Sequence, residues 1–183
     1  GINAEYGEMA DQIINQKINQ KMDEQRIDQN SVFGVIDPNP NKVYYIRSKL
    51  HQNKQFEIPL MFADAEGAQL VENNITYNLN QCFKFQRIND TDPDEIQFNI
   101  INLQQNMYIV QEQPIFGARI VQSSNSMQDW SWQVVKCADG SYQIKIYGMA
   151  MCWQLYGNDN DGFYVTLESE NNQDNQKWNL IIK

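Results

Sequence analysis

The residues best suited to chemistry lie in the stretch GNDNDGFYVTLE, from Gly157 to Glu168. Asp159, Asp161 and Glu168 stand at the third, fifth and twelfth places of an EF-hand calcium loop, where carboxylates bind the ion. Gly157, however, occupies the first place, which needs an aspartate, and no helical pattern flanks the stretch. Asn, Asp and Gly are also the residues that form tight turns. We therefore predict a turn between two strands and no metal site.

Catalytic motifs are absent from the sequence. His51 is the only histidine, and it falls in a predicted loop, where a solvated side chain is expected rather than a general base. Cys82, Cys137 and Cys152 lack the spacing of metal ligands, and either one disulfide, such as Cys137 with Cys152, or three thiols fits them. There is no nucleophile elbow and no phosphate-binding loop. Carboxylates for glycoside cleavage are present, but the sequence selects no pair. We predict that the chain is not an enzyme and needs no cofactor.

The composition of the chain indicates which classes of partner it can bind. The 183 residues carry a net charge of −9, which argues against nucleic acid, whose phosphates require basic side chains. No apolar run approaches the ~18–20 residues of a membrane span. Asn and Gln supply 22 residues each. That abundance reflects either a bias of the genome or a surface rich in neutral amides, which would suit polyhydroxylated ligands.

Residues 1–30 differ from the rest of the chain. Apolar residues recur there at steps of three and four, at Met9, Ile13, Ile14, Ile18 and Met22, with no Gly or Pro between them. This period predicts an amphipathic helix over roughly residues 6–27. Its apolar stripe would pack either on the body of this protein or in the groove of a protein partner, and both alternatives stay open.

Residues 42–183 follow the proline-rich break DPNPN and read as an all-β body. Short runs alternate apolar and polar residues, and turn residues separate them. Twelve runs are found: KVYYIRSKL, FEIPLMFAD, AQLVE, CFKFQRI, EIQFNII, MYIVQ, ARIVQ, WSWQVVK, SYQIKIY, MCWQLY, FYVTLES and QKWNLIIK.

The twelve runs fall into three sets of four, and the last run of each set contains a similar three-residue pattern that ends on an aromatic residue. The three patterns are Phe83-x-Phe85, Trp130-x-Trp132 and Gln176-x-Trp178. Their last residues are separated by 132 − 85 = 47 and 178 − 132 = 46 positions, which indicates internal repetition. Three four-stranded units suit a threefold barrel with a shared core, and we predict that Phe85, Trp132 and Trp178 occupy equivalent buried positions.

Over residues 42–183 the sequence resembles the ricin B-type (R-type lectin) β-trefoil, whose repeats end in a Gln-x-Trp motif. The third repeat, NQDNQKWNLI, matches this motif well, whereas SMQDWSWQVV and NLNQCFKFQRI match in position and shape only. The resemblance implies that the Trp enters a common core while the Gln holds the preceding loop by hydrogen bonds. It leaves residues 1–30 outside, as an N-terminal helical extension of the trefoil domain.

The resemblance also implies where a sugar would bind. Sugar-binding repeats of this family use an acidic residue at the end of the second strand, an aromatic on the third strand and an Asn before the Gln-x-Trp. The third repeat keeps Asn175 and Gln176 but has Gln154 in place of the acid. Glu168 stands near the aromatic position, so the stacking ring would come from elsewhere. The candidates for that ring are Tyr156, which we favour, Phe163 and Tyr164.

The other two repeats match the sugar-binding pattern less well. The second repeat offers Asp129 in place of the Asn and Gln122 in place of the aromatic. The first repeat has Cys82 and Val71 at these places, and it is predicted to have lost its site.

We therefore predict a secreted or extracellular, non-catalytic carbohydrate-binding protein that binds a glycan weakly through its third repeat. The alternative is a degenerate trefoil that binds no sugar and acts as a protein-interaction or toxin-delivery-type subunit, with the N-terminal helix as its anchor.

Overall fold

The computed structural model describes residues 38–88, 96–127 and 130–183. The N-terminal helix predicted for residues 6–27, and with it the proposed division between residues 1–30 and 42–183, lies outside this part of the chain. No helix in the described ranges is long and apolar enough to cross a membrane.

Twelve strands form within the described ranges, as the alternation of apolar and polar residues predicts. In β4 and β5, for example, the buried residues alternate with more exposed ones, because successive side chains of a strand point to opposite faces. The strands of the first repeat are β1 Tyr44–Ser48, β2 Lys54–Glu57, β3 Val71–Asn74 and β4 Phe83–Arg87. The second repeat has β5 Phe98–Asn102, β6 Met107–Gln111, β7 Ile120–Ser123 and β8 Trp132–Lys136. The third has β9 Tyr142–Ile146, β10 Met151–Asn158, β11 Gly162–Ser169 and β12 Trp178–Ile182.

The strand pairing closes a barrel with threefold repetition. The first and last strands of each repeat form a ring in which β1 pairs β4, β4 pairs β5, β5 pairs β8, β8 pairs β9, β9 pairs β12 and β12 returns to β1. The middle strands of each repeat form the hairpins β2–β3, β6–β7 and β10–β11. This architecture is the predicted β-trefoil.

The register of these pairs shows which core residues are equivalent. The first residue of each repeat's last strand pairs with the first residue of its first strand, in the pairs Phe83 with Tyr44, Trp132 with Phe98 and Trp178 with Tyr142. The counterpart of Trp132 and Trp178 is therefore Phe83, and the prediction of Phe85 is wrong by two residues. Phe85 is also fully buried, because residues two apart on a strand share a face.

The turn predicted at GNDNDG is confirmed. Asn158 and Gly162 face each other at the end of the β10–β11 hairpin, and Asn158 Oδ1 accepts hydrogen bonds from the backbone N–H groups of Asn160 and Asp161. Gly157 has a φ of 118°, and a Cβ there would lie 2.1 Å from the carbonyl oxygen of Gly162. The turn therefore requires glycine at this position.

We expect a chain that lacks residues 1–30 to keep its fold, because the twelve strands close the barrel on themselves. Thermal unfolding followed by near-ultraviolet circular dichroism would test this on the truncated and full-length chains. A cooperative transition within a few degrees of that of the full chain is the expected result. A transition at a far lower temperature would place the N-terminal segment in the core and contradict the domain division.

Candidate functional site

Gln176 holds the loop before β12 as the Gln-x-Trp resemblance implies. Its side chain is buried, and Nε2 donates to the backbone oxygen of Ser169 at 2.7 Å and to Oε1 of Gln154 at 3.0 Å. Oε1 accepts from the backbone N–H of Asn171 at 2.8 Å. All three partners are groups of the protein itself, so Gln176 holds the loop before β12 and orients the side chain of Gln154.

The first repeat contains the same arrangement around Gln81. Its Nε2 donates to the backbone oxygen of Asn74 at 2.7 Å and to Oε1 of Glu57 at 2.9 Å, and its Oε1 accepts from the backbone N–H of Thr76 at 3.0 Å. Asn80-Gln81-Cys82-Phe83 is thus the counterpart of Asn175-Gln176-Lys177-Trp178. The prediction that places Cys82 at the Asn position of the first repeat is therefore wrong by two residues, because Asn80 occupies that position. The signal that could have found it is the shared pattern Asn-Gln-x-aromatic.

The first repeat also has the acid that the third repeat lacks, but the group is enclosed. Glu57 takes the place of Gln154 at the end of the second strand, and its carboxylate accepts from Gln81 and, at 3.3 Å, from Asn73. Glu57 is 5% exposed and Asn80 is 2% exposed. Nδ2 of Asn80 donates one hydrogen bond to the backbone oxygen of Ile58. A ligand would have little access to either side chain.

The candidate residues Gln154 and Tyr156 lie on the face of the β10–β11 hairpin that is opposite to its core-facing residues, such as Trp153 and Leu167. Directly opposite residues of an antiparallel pair share a face, and Gln154 lies opposite Thr166, Tyr156 opposite Tyr164 and Cys152 opposite Glu168. These six residues therefore share one face, which we call the outer face. Phe163 points to the other side of the hairpin, because it alternates with Tyr164.

Two of the predicted site residues, Gln154 and Tyr156, lie on this outer face, and Asn175 directly precedes Gln176, which bonds to Gln154. Gln154 is half-buried and bonded to Gln176, and Tyr156 is 53% exposed with its ring 5.6 Å from that of Tyr164. Asn175 is half-buried, and its Oδ1 accepts from Nδ2 of Asn171 at 3.2 Å. The Nδ2 group of Asn175 has no partner among the described residues, so it can donate to a ligand.

Glu168 adds an acceptor to the outer face. Its side chain is half-buried, and Oε1 accepts from Oγ1 of Thr166 at 3.1 Å, which leaves other lone pairs of the carboxylate open. The sequence predicts that Glu168 lies near the position of the stacking ring. The structure instead makes it a carboxylate close to Gln154, on the neighbouring strand of the same hairpin.

An ion-pair cluster anchors the loop that carries Asn175. Lys49, from the turn after β1, donates to Asp174 at 3.0 Å and also contacts Asp139. The hydrogen bond from Lys49 lowers the pKa of Asp174, so this carboxylate stays charged in mildly acidic solution. These contacts fix the position of the short 3-10 helix Asp174–Gln176, which contains Asn175.

In the second repeat, the candidate residue Gln122 bonds to a neighbouring loop of the protein. Nε2 of Gln122 donates to the backbone oxygens of Phe62, Ala63 and Ala65, at 3.1, 3.0 and 2.8 Å. Gln122 is buried under the loop that joins β2 to β3. The other candidate of this repeat, Asp129, lies outside the described residues.

His51 is not the solvated loop histidine that the sequence predicts. Its Nδ1 lies 2.8 and 3.0 Å from the two carboxylate oxygens of Glu72, and its ring centroid lies 4.6 Å from that of Phe163. Burial raises the pKa of Glu72, while His51 opposes the rise. The sequence could not show this pair, because the two residues are 21 positions apart and meet only when the β2–β3 hairpin has formed.

The described residues hold no metal site or disulfide of the kinds considered from the sequence. They contain no group of three or more His, Cys, Asp or Glu side chains that could bind a metal ion. Cys82, Cys137 and Cys152 are all free thiols, so the alternative of three thiols describes this structure. Burial raises the pKa of Cys152 to about 12, which keeps this thiol protonated at neutral pH.

Comparison with solved structures identifies the architecture. The Rhizoctonia solani agglutinin matches with a TM-score of 0.66 at 17% sequence identity, over 81% of this chain and 99% of the agglutinin. The Macrolepiota procera ricin B-like lectin, solved in complex with lactose, matches with a TM-score of 0.63 at 16% identity, over 80% of this chain and 99% of the lectin. The fold is a β-trefoil of the kind seen in ricin B-like lectins.

The same trefoil also matches a part of larger enzymes. An exo-beta-1,3-galactanase from Clostridium thermocellum matches with a TM-score of 0.65 at 18% identity, over 81% of this chain but only 31% of the enzyme. No family model and no curated protein sequence matches the chain. These similarities identify the fold, and the function has to be argued from the site.

Proposed function

We propose that this trefoil is a non-catalytic carbohydrate-binding protein whose ligand lies on the outer face of the third repeat. The observation that carries the proposal is the difference between two equivalent sites. The first repeat has the acid Glu57 but encloses it, whereas the third repeat leaves Gln154 and Asn175 half-exposed beside the exposed ring of Tyr156.

The chemistry of the outer face suits a sugar. Gln154 uses its Oε1 to accept from Gln176, so its Nε2 is available as a donor, as is Nδ2 of Asn175. The carboxylate of Glu168 supplies an acceptor. A sugar hydroxyl both donates and accepts, so it can bridge such groups, while the ring of Tyr156 offers an apolar surface to the C–H groups of a pyranose.

The binding is expected to be weak. In Gln154 a neutral amide replaces the carboxylate used by related sugar sites, and charge-assisted hydrogen bonds are about twice as strong as neutral ones. We therefore expect a dissociation constant on the order of millimolar for a single sugar, equivalent to about −4 kcal/mol. Multivalent display would raise the apparent affinity.

Titration with methyl galactoside, methyl glucoside and N-acetylglucosamine, followed by backbone amide chemical shifts, tests the proposal. We expect saturable shifts centred on Gln154, Tyr156 and Asn175, and we expect Asn175→Ala to abolish them because the free amide donor is lost. Asn99→Ala is the matched control, since Asn99 lies on β5 of the second repeat. This control should bind like the wild type, and both variants should keep the wild-type melting temperature within a few degrees.

Two results would contradict the proposal. If these sugars cause no amide shifts and a broad glycan array shows no binding, the alternative is favoured, a protein-interaction or toxin-delivery-type subunit. Release of free sugar from a bound glycan would contradict the non-catalytic role. The proposal includes a secreted or extracellular location, where glycans are displayed, and fractionation of the native host would test it.

A further inference from the structure

A pocket lies between two hairpins, away from the outer face. It has a volume of about 330 Å³ and is bordered by the β2–β3 hairpin of the first repeat and the turn of the β10–β11 hairpin of the third. We call it the inter-hairpin pocket and define it by His51, Asn53, Lys54, Glu72, Asp159 and Phe163. A volume of this order falls at the lower end of the range for small-molecule sites, about 300–1,000 Å³.

The register separates this pocket from the outer face. Glu72 lies opposite Phe56 across the β2–β3 hairpin, and Phe56 is a core residue, so Glu72 points to the side opposite Glu57. Phe163 likewise points away from the outer-face residue Tyr164. The pocket therefore contains none of the outer-face side chains of the third repeat, and its lining residue Asn73 links it to the first-repeat site by donating to Glu57.

His51 is held in a defined orientation at the pocket wall. The carboxylate of Glu72, whose side chain is 5% exposed, accepts from Nδ1, and the edge-to-face contact with Phe163 fixes the plane of the ring. When Nδ1 carries the proton, Nε2 of the neutral imidazole is an acceptor. No described residue bonds to Nε2, and 29% of the His51 side chain is exposed to solvent.

The remaining walls offer both donors and acceptors, together with one apolar surface. Asp159 supplies a carboxylate from the exposed hairpin turn, and Asn53 supplies an amide. Lys54 supplies an ammonium group, which also donates to Asn74 at 2.6 Å. An anion would meet the carboxylates of Glu72 and Asp159, and a simple cation would meet Lys54. A neutral ligand with several hydroxyl groups and an apolar ring face avoids both of these like-charge repulsions.

We propose that the inter-hairpin pocket is a second carbohydrate site that holds one sugar residue. Nε2 of His51 accepts a hydrogen bond from one sugar hydroxyl, and the carboxylate of Asp159 accepts one from a second. The amide of Asn53 bonds to a third hydroxyl, and the ring of Phe163 contacts the C–H face of the sugar. The site goes beyond the proposed function, because it depends on none of the outer-face residues. It would make the chain bivalent for glycans within one trefoil.

The single histidine provides a direct probe of this site. In the full chain, the Cε1–H and Cδ2–H signals of His51 are the only ones of their kind. We would titrate methyl galactoside, methyl glucoside and N-acetylglucosamine to about 100 mM, a hundredfold above a millimolar dissociation constant. The expected result is a saturable shift of the His51 signals that persists in the Asn175→Ala variant, together with shifts of the Asp159 and Phe163 amides.

A matched pair of variants in the hairpin turn completes the test. Asp159→Ala removes a pocket acceptor from an exposed position. It should raise the dissociation constant read from the His51 shifts about tenfold. Asp161→Ala changes the same turn, but its carboxylate accepts from Asn158 outside the pocket, so binding should be unchanged. Unchanged His51 signals with all three sugars would overturn the proposal, as would a His51 shift that disappears in Asn175→Ala. If the His51 signals shift while the amide signals of the outer-face residues do not, only the outer-face site is overturned.

Discussion

Replacing Trp178 by alanine is expected to lower the free energy of unfolding by about 3–5 kcal/mol, the usual range for emptying a core tryptophan position. Trp178 is fully buried at the start of β12, and its ring packs edge-to-face against Phe56 at 5.2 Å and Trp153 at 6.0 Å. The cavity would open at the point where rings from the first and third repeats meet, so neighbouring side chains could refill it only in part.

Urea denaturation monitored by far-ultraviolet circular dichroism measures this loss, and two variants calibrate it. Ile182→Ala lies on the same strand at a position that is 57% exposed, and it should change stability by no more than about 0.5 kcal/mol. Trp178→Phe should cost less than Trp132→Phe. Nε1 of Trp132 donates to the backbone oxygen of Ile109 at 2.7 Å, whereas Nε1 of Trp178 has no partner among the described residues. A loss below about 1 kcal/mol for Trp178→Ala would contradict its place in the shared core.

The second large effect is expected at Gln81. Gln81→Leu should cost about 2–4 kcal/mol, because it removes several buried hydrogen bonds and deprives a buried carboxylate of a donor. Its Nε2 donates to Glu57, and its Oε1 also accepts from Nε2 of Gln55 at 2.8 Å. After the change the Glu57 carboxylate keeps only the 3.3 Å contact with Asn73 among its hydrogen bonds to described side chains.

The equivalent change in the third repeat provides the comparison. Gln176→Leu removes the same loop contacts, but the partner Gln154 is neutral and half-buried, so the loss should be smaller, about 1–2 kcal/mol. Gln86→Leu, on the exposed side of β4, should be nearly neutral. If urea denaturation shows that Gln81→Leu and Gln176→Leu lose equal free energy of unfolding, the Glu57 carboxylate does not depend on the Gln81 amide.

The sequence by itself determined the all-β class, the twelve strands and the threefold repetition. Local alternation of apolar and polar residues is enough to predict strands, since side chains alternate between the two faces. The near-constant spacing of aromatic pairs indicated the repeats. In the third repeat, Gln176-x-Trp178 matches the Gln-x-Trp pattern letter for letter, and the structure places Trp178 in the core and Gln176 in hydrogen bonds to the preceding loop.

Only the tertiary structure decided the register of the first repeat and the exposure of its site. Phe83 and Phe85 both point inward, so the sequence pattern could not tell which of them begins β4 at the threefold position; the pairing with Tyr44 does so. Whether Glu57 is open or enclosed depends on Gln81, which is 24 positions away along the chain. The His51–Glu72 pair is likewise made by strand pairing. Such contacts depend on which chain segments the closed barrel brings together, and no local pattern of residues encodes that.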